Sequence, residues 1–415
     1  MRQHAENSKY IFLIFLVWPF VALIQAIYHF KASWAKNVIW FFVVFYGYTM
    51  VVVGDSNDST RERDALISLN HQVGSFDNTN LEFYSQEEGD LDIVNPIIIF
   101  VVSRFTDNYH FLFAAYAFVF GFFYSRNIWF FLNRSTNLAS WFAVLVVFAL
   151  AFVIGFWNIN GFRFWTASHV FIYGVLLYLF ERSFFGLIVV LSSFLVHFSF
   201  MLPISVFIGY LILGNRIPFY FGLYVLTFFV KELNIDSLGA VLKTYLPSIF
   251  HNRVEIYTNE ENAEAKIVDI GEVAWHVTYS TFFLRWTIVA FVGLFYSKSK
   301  KLINGNFELT RLFSFTLLFA SVANVAALVP SGGRYLFIAN FLFLGFIFLF
   351  IQIVEIKSYW LLWRNISFVT FIFFDIVGFR YSTELMGIMG LFGNFIFASI
   401  SQIDLTVIDF IKSIF

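Results

Sequence analysis

Arg163, His197 and Arg334 stand beside or inside hydrophobic runs of the chain. An ionisable group at membrane depth is costly, so each is a site hypothesis by default. Arg163 lies in Asn158-Ile159-Asn160-Gly161-Phe162-Arg163-Phe164, His197 in Phe194-Leu195-Val196-His197-Phe198-Ser199, and Arg334 in Pro330-Ser331-Gly332-Gly333-Arg334-Tyr335. Two guanidinium groups and an imidazole suit an anionic, phosphate-bearing substrate. The guanidinium fork pairs with phosphate oxygens, and an imidazole can take a proton from a hydroxyl. Simpler explanations exist residue by residue. An arginine at a span end ordinarily snorkels to headgroups. A lone intramembrane histidine can serve as a helix–helix hydrogen bond, here to Ser193 or Ser199. Asp55 and Asp58, with Arg61 at the start of the first long polar loop, can be solvated loop residues or an N-cap. Joint placement of these groups on one face is what favours a site.

The elements that must position them are membrane helices. The chain has 415 residues, of which 60% are hydrophobic and 13% charged, roughly half the charge of a soluble domain. An all-α, polytopic membrane bundle follows. The net charge of −1 and the lack of a basic cluster give no reason to expect nucleic acid, and the absence of cysteine excludes disulfides, thiolate metal sites and Cys nucleophiles. The sixty-two phenylalanines need no sugar-stacking role, because Phe faces lipid as well as Leu does.

At about 20 apolar residues per crossing, candidate spans are 11–30, 38–53, 109–125, 138–157, 165–180, 217–231, 275–296, 309–329, 335–353, 362–378 and 385–401. Residues 11–30 read as a first span rather than a cleavable signal. Residues 93–105 carry Pro96 and are too short to cross, which predicts a surface or re-entrant helix. Residues 184–213 are too long for one span and have basic flanks, Arg182 and Arg216, so they read as a hairpin whose turn carries His197. The expected architecture is one domain, residues 1–415, with about 11–14 transmembrane helices. Gly387, Gly390 and Gly393 read as a helix-packing ridge.

Short basic loops face the cytoplasm. With Lys31/Lys36, Arg126/Arg134, Arg182, Arg216, Lys298/Lys300/Lys301 and Lys357/Arg364 inside, the two long polar loops, 54–92 and 232–274, fall outside. Arg163, His197 and Arg334 fall on that outer side as well. Loop 232–274 is too long and acidic for a mere connector, and Leu238 to Phe250 is expected to be helical within it.

The order of these features resembles a known family. An early Gly-Asp loop (Gly54-Asp55-Ser56-Asn57-Asp58) is followed by a short helix with proline and an Asn160-Gly161-Phe162-Arg163 motif with Ala167. His197-Phe198-Ser199 and a late Arg334-Tyr335 complete the series. This layout resembles the EpsG-like branch of the Wzy-type polysaccharide polymerases, although Phe164 replaces the Gln that commonly follows the arginine and the Tyr downstream of the acidic motif is missing. The resemblance implies a GT-C-like glycosyltransferase in the bacterial inner membrane. It would join undecaprenyl-diphosphate-linked oligosaccharide repeat units, donor and acceptor alike, on the outer leaflet, as in O-antigen and exopolysaccharide biosynthesis. His197, Arg163 and Arg334 become the catalytic candidates, and Asp55, Asp58, Arg61 and Asn160 the substrate-binding ones. No cofactor and no metal are expected, and a chain-length regulator protein is the implied protein partner. An O-antigen ligase, a lipid-linked oligosaccharide flippase and a membrane O-acyltransferase are the alternatives.

Overall fold

The structure is a computed structural model that describes residues 2–52, 58–71, 92–135, 140–230, 235–245, 274–298, 305–353, 358–401 and 403–414, with 251, 254, 255 and 303. Among these residues there is no β-strand beyond two isolated bridges. Among the described residues six helical runs are, by length and composition, long and apolar enough to cross a membrane: Tyr109–Leu132, Trp141–Glu181, Trp275–Lys298, Phe307–Ala326, Arg334–Ile353 and Leu361–Leu385. Five shorter apolar helices accompany them. The chain is therefore an all-α membrane bundle, in which, among the described residues, the helices long enough to cross alone are fewer than the apolar runs of the sequence.

The difference lies in broken helices. The expected span 11–30 is two helices, α1 (Arg2–Val17) and α2 (Pro19–Tyr28). Pro19 disfavours helix at the residue before it, and Trp18 is accordingly extended, at φ −149° and ψ 87°. The break is tied down, because the Trp18 indole donates to the Leu391 carbonyl at 2.8 Å and Asn394 donates to the Val17 carbonyl at 3.2 Å. Next come α3 (Ala35–Tyr48), the polar α4 (Asp58–His71), α5 (Val94–Ser103) and α6 (Tyr109–Leu132). At ten residues α5 is about 15 Å long, half the hydrocarbon thickness, as expected for a segment too short to cross.

The run 141–181 is α7 (Trp141–Val153), a 3-10 turn (Phe156–Gly161) and α8 (Phe162–Glu181). Then α9 (Phe184–Val196) and α10 (Met201–Leu213) form the hairpin, broken where His197 turns extended. Both of its ends come back to the start of one later helix. The Arg182 guanidinium lies 6.0 Å from the Phe307 ring, and the Arg216 amide donates to Ser314 Oγ at 3.2 Å. Its turn meets the far end, where Tyr335 Oη donates to the Ser199 carbonyl at 2.8 Å. Glycine lets α8 and α9 lie almost backbone to backbone. A Cβ on Gly174 would stand 2.6 Å from the Val190 nitrogen and 2.7 Å from the Gly186 carbonyl oxygen.

The remaining elements are α11 (Ile217–Thr227), α12 (Ile235–Tyr245), α13 (Trp275–Lys298), α14 (Phe307–Ala326), α15 (Arg334–Ile353), α16 (Ser358–Leu385), α17 (Ile388–Phe392), α18 (Phe395–Ser401) and α19 (Val407–Ile414). Helix α12 supplies most of the helix expected over 238–250, and the acidic run after it lies outside the described residues. The span expected at 385–401 is corrected. After Leu385 the chain runs extended between two neighbours, with Val51 N bonded to the Leu385 carbonyl, Gly387 N to the Thr49 carbonyl and Ile388 N to the Leu405 carbonyl at 2.8–3.0 Å. A Cβ on Gly387 would meet the Thr49 carbonyl oxygen at 2.3 Å, so this glycine serves a backbone crossing rather than a helix ridge.

Candidate functional site

Four segments distant in sequence meet at the hairpin turn. The carboxylate of Asp92, two residues before α5, is 1% exposed and accepts from the Phe198 amide at 2.8 Å. Its oxygens lie 2.9 and 3.1 Å from His197 Nδ1. A backbone bond from Ile93 N to the Leu195 carbonyl, at 2.9 Å, fixes the same approach. Arg163, in the first turn of α8, brings Nη1 to 3.6 Å from Asp92 Oδ2 and Nε to 3.7 Å from Glu62 Oε1. Those separations are ion-pair distances, longer than hydrogen bonds. Glu62 of α4 accepts from Asn95 Nδ2 at 2.9 and 3.1 Å and lies 3.1 Å from the Tyr116 hydroxyl, which also reaches Asn95 Oδ1 at 2.6 Å. Tyr116 stacks on Phe162 at 4.1 Å, joining α6 to the start of α8.

Phe164 is the hub of the apolar side. His197 meets its ring edge-on at 5.9 Å, Tyr335 packs at 5.6 Å, and the Arg334 guanidinium lies 5.7 Å from its centroid. Arg334 is delivered by a tight turn in which Ser331 takes φ +62°. It is exposed and forms no ion pair with a described residue.

The two carboxyl groups are driven apart electrostatically. At Glu62 burial dominates and holds the group above its ordinary value, against the pull of Asn95, Arg163 and Tyr116. At Asp92 burial also pushes upward, but His197, the Phe198 amide and Arg163 together outweigh it and hold the group below its ordinary value. Asp92 is thus the ionised member and Glu62 the more readily protonated one. An ionised carboxylate can only accept, so His197 donates from Nδ1 and keeps Nε2 as its basic nitrogen. Nε2 makes no hydrogen bond to a described residue. The side chain pairs with Asp92 and not with either serine: Ser193 Oγ donates to the Val190 carbonyl, and Ser199 Oγ has no partner among the described residues.

The structure therefore brings Arg163, His197 and Arg334 together. It leaves Asp58 and Arg61 paired with each other on the outer side of α4. Asn160 is half-buried in the 3-10 turn that delivers Arg163 and takes no part in the cluster's hydrogen bonds among the described residues. Asp55 lies outside the described residues. Four members of the cluster, Glu62, Asp92, Asn95 and Tyr116, were not singled out from the sequence. Glu62 carried a signal. It shares a helical stripe with Ser59, Leu66 and Leu69, all buried in α4, and a carboxylate on a buried stripe needs partners. Among the described residues no three His, Asp or Glu side chains gather as a metal-ligand set.

In comparison with known proteins, the chain matches no protein-family model, no curated protein and no solved structure.

Proposed function

We propose that the chain is a membrane glycosyltransferase that polymerises oligosaccharide repeat units carried on a polyisoprenyl diphosphate, working at the outer leaflet of a bacterial inner membrane. One observation carries this reading. A carboxylate-oriented histidine, Asp92–His197, shares a site at one end of the bundle with Arg163 and Arg334. In the reaction His197 Nε2 takes the proton of the acceptor sugar hydroxyl as that oxygen bonds to the anomeric carbon of the donor chain. The bond from that carbon to the diphosphate oxygen breaks, and the lipid diphosphate leaves with the bonding pair. Negative charge grows on that leaving group, and in this reading Arg334 is the guanidinium that meets it. Arg163 spans Asp92 and Glu62, so it holds both carboxylates in register and adds positive charge beside the same space. Asp92 fixes the imidazole tautomer and compensates the imidazolium that forms, as a carboxylate behind a catalytic histidine does.

The test uses purified protein in detergent or nanodiscs with lipid-linked repeat units. A ladder of longer chains that is lost in His197→Gln at equal protein level supports the reading. Translocation without bond formation would make the protein a flippase, and transfer onto a lipid A core acceptor would make it a ligase. Near-normal polymer from both His197→Gln and Arg334→Ala would reject the site.

A further inference from the structure

At the end of the bundle opposite the His197 turn, the hairpin's two basic flanks converge with the first turns of α14 around a second group of cations. Arg311 is only 5% exposed. Its Nε donates to the Phe307 carbonyl at 3.3 Å and its guanidinium covers the Phe307 ring at 4.3 Å, but Nη1 is buried without a hydrogen-bond partner among the described residues. The Arg182 guanidinium approaches that same ring at 6.0 Å. Arg216 is bound to this place through its amide, which donates to Ser314 Oγ one turn beyond Arg311. None of the three forms an ion pair with a described carboxylate. The helix termini add to the field. N-termini of α9, α11 and α14 all point to this end, and α9 and α11 lack a side-chain cap. Uncapped N–H groups and the positive end of the helix dipole favour an anion. A buried guanidinium N–H without a partner costs free energy until an acceptor reaches it, and neighbouring like charges deepen that demand.

We propose that Arg182, Arg216 and Arg311 form a phosphate-binding site, filled by the headgroup of an anionic phospholipid in the leaflet at this end of the bundle. It is separate from the site proposed for catalysis and does not depend on that reading. A phosphodiester oxygen can accept from Arg311 Nη1, while the exposed Arg182 and Arg216 close over the headgroup from the water side. The preference for a lipid over a soluble anion follows from position, since membrane-surface arginines sit where anionic headgroups are concentrated.

The experiment titrates the full-length protein in detergent with phosphatidylglycerol, with phosphatidylcholine of the same acyl chains, and with inorganic phosphate alone. Bound lipid is counted by native mass spectrometry, and thermal stability is followed in parallel. Phosphatidylglycerol is expected to bind about ten-fold more tightly than phosphatidylcholine, the size of effect that one or two charge-assisted contacts produce. The double variant Arg182→Gln/Arg216→Gln, altered at exposed positions, should fold and lose that preference, and Arg311→Met should lose the stabilisation by phosphatidylglycerol. Stabilisation by inorganic phosphate alone, lost in the same variants, keeps the phosphate site but assigns it to a soluble ligand. Equal affinity for the two lipids, with no effect of phosphate and no change in the double variant, overturns the proposal.

Discussion

Asp92 decides what His197 can do, because the ionised carboxylate accepts a hydrogen bond from Nδ1 and leaves Nε2 as the nitrogen able to take a proton. His197→Gln keeps hydrogen bonding but cannot titrate, so turnover in the repeat-unit assay should fall on the order of a hundred-fold or more, with lipid-linked substrate still bound. Turnover near wild type would remove the general-base role. Asp92→Asn takes the counter-charge from the partly buried Arg163 guanidinium and weakens the hydrogen bonds from His197 and the Phe198 amide, and should cost about 3 kcal/mol of stability at neutral pH. Because Asp92 is held below its ordinary value, its contribution is present above the unfolded carboxylate range and is lost as pH falls through the folded value. Glu62 behaves in the opposite sense. Its folded value is raised by burial, so stability is fullest below the ordinary glutamate range and declines as pH rises through the raised value. Glu62→Gln should therefore match wild type in acid and exceed it at higher pH, whereas the penalty of Asp92→Asn shrinks in acid. Thermal unfolding between about pH 3 and pH 8 separates the two, and parallel pH profiles for both variants would contradict the split. Arg163, His197 and Arg334 were legible because charge inside apolar sequence is conspicuous. Asp92 was not, since it sat among ten acidic residues of a polar loop, and nothing local marks the one that folds back onto a histidine 105 positions away.

Helices hold these residues in place through close backbone packing, and the α8–α9 pair carries Arg163 and His197 on adjoining ends. Gly174 faces Val190 N and the Gly186 carbonyl at distances no Cβ tolerates, so Gly174→Ala must push the two helices apart. A loss of about 1–3 kcal/mol is expected from overpacking, together with reduced activity as the Asp92–His197 contact loosens. The same substitution at Gly209, where a Cβ meets nothing within 4 Å, should leave thermal stability close to wild type. Equal stability of the two variants would show that the α8–α9 contact does not limit the site. The hairpin 184–213 could be read from its length and basic flanks, and the short helix before Tyr109 from its length and Pro96. Breaks at Trp18 and Gly387 could not be read from hydropathy, because apolar composition continues through them. Pro19 was the local mark of the first. The second depends on strand-like pairing with Thr49–Val51 and Leu405–Val407, partners that no window of sequence contains.

Across the whole molecule charge is divided by end. Contacts of Arg126 with Asn37, of Trp129 with the Phe30 carbonyl, of Arg134 with Glu181 and of Arg182 with Phe307 gather one set of helix ends. There, among the described residues, Lys31, Lys36, Arg126, Arg134, Arg182, Arg216, Lys298 and Arg311 stand against Glu181 and Glu308. The opposite end mixes both signs, with Asp58, Glu62, Asp92, Asp404 and Glu384 offsetting Arg61, Arg163 and Arg380. Basic loops are retained on the cytoplasmic side, so the arginine-rich end should lie inside and the His197 site outside. The chain has no cysteine, which makes single introduced thiols clean reporters of this orientation. Ala274 is exposed before α13, at the site end, and Ser297 is exposed near that helix's other end. In intact cells with a permeabilised outer layer, Ala274→Cys should react with a membrane-impermeant maleimide, and Ser297→Cys should react only after the inner membrane is disrupted. The reverse pattern would place the site in the cytoplasm, where a lipid-linked chain on the outer leaflet could not reach it, and the proposed polymerase would fail with it.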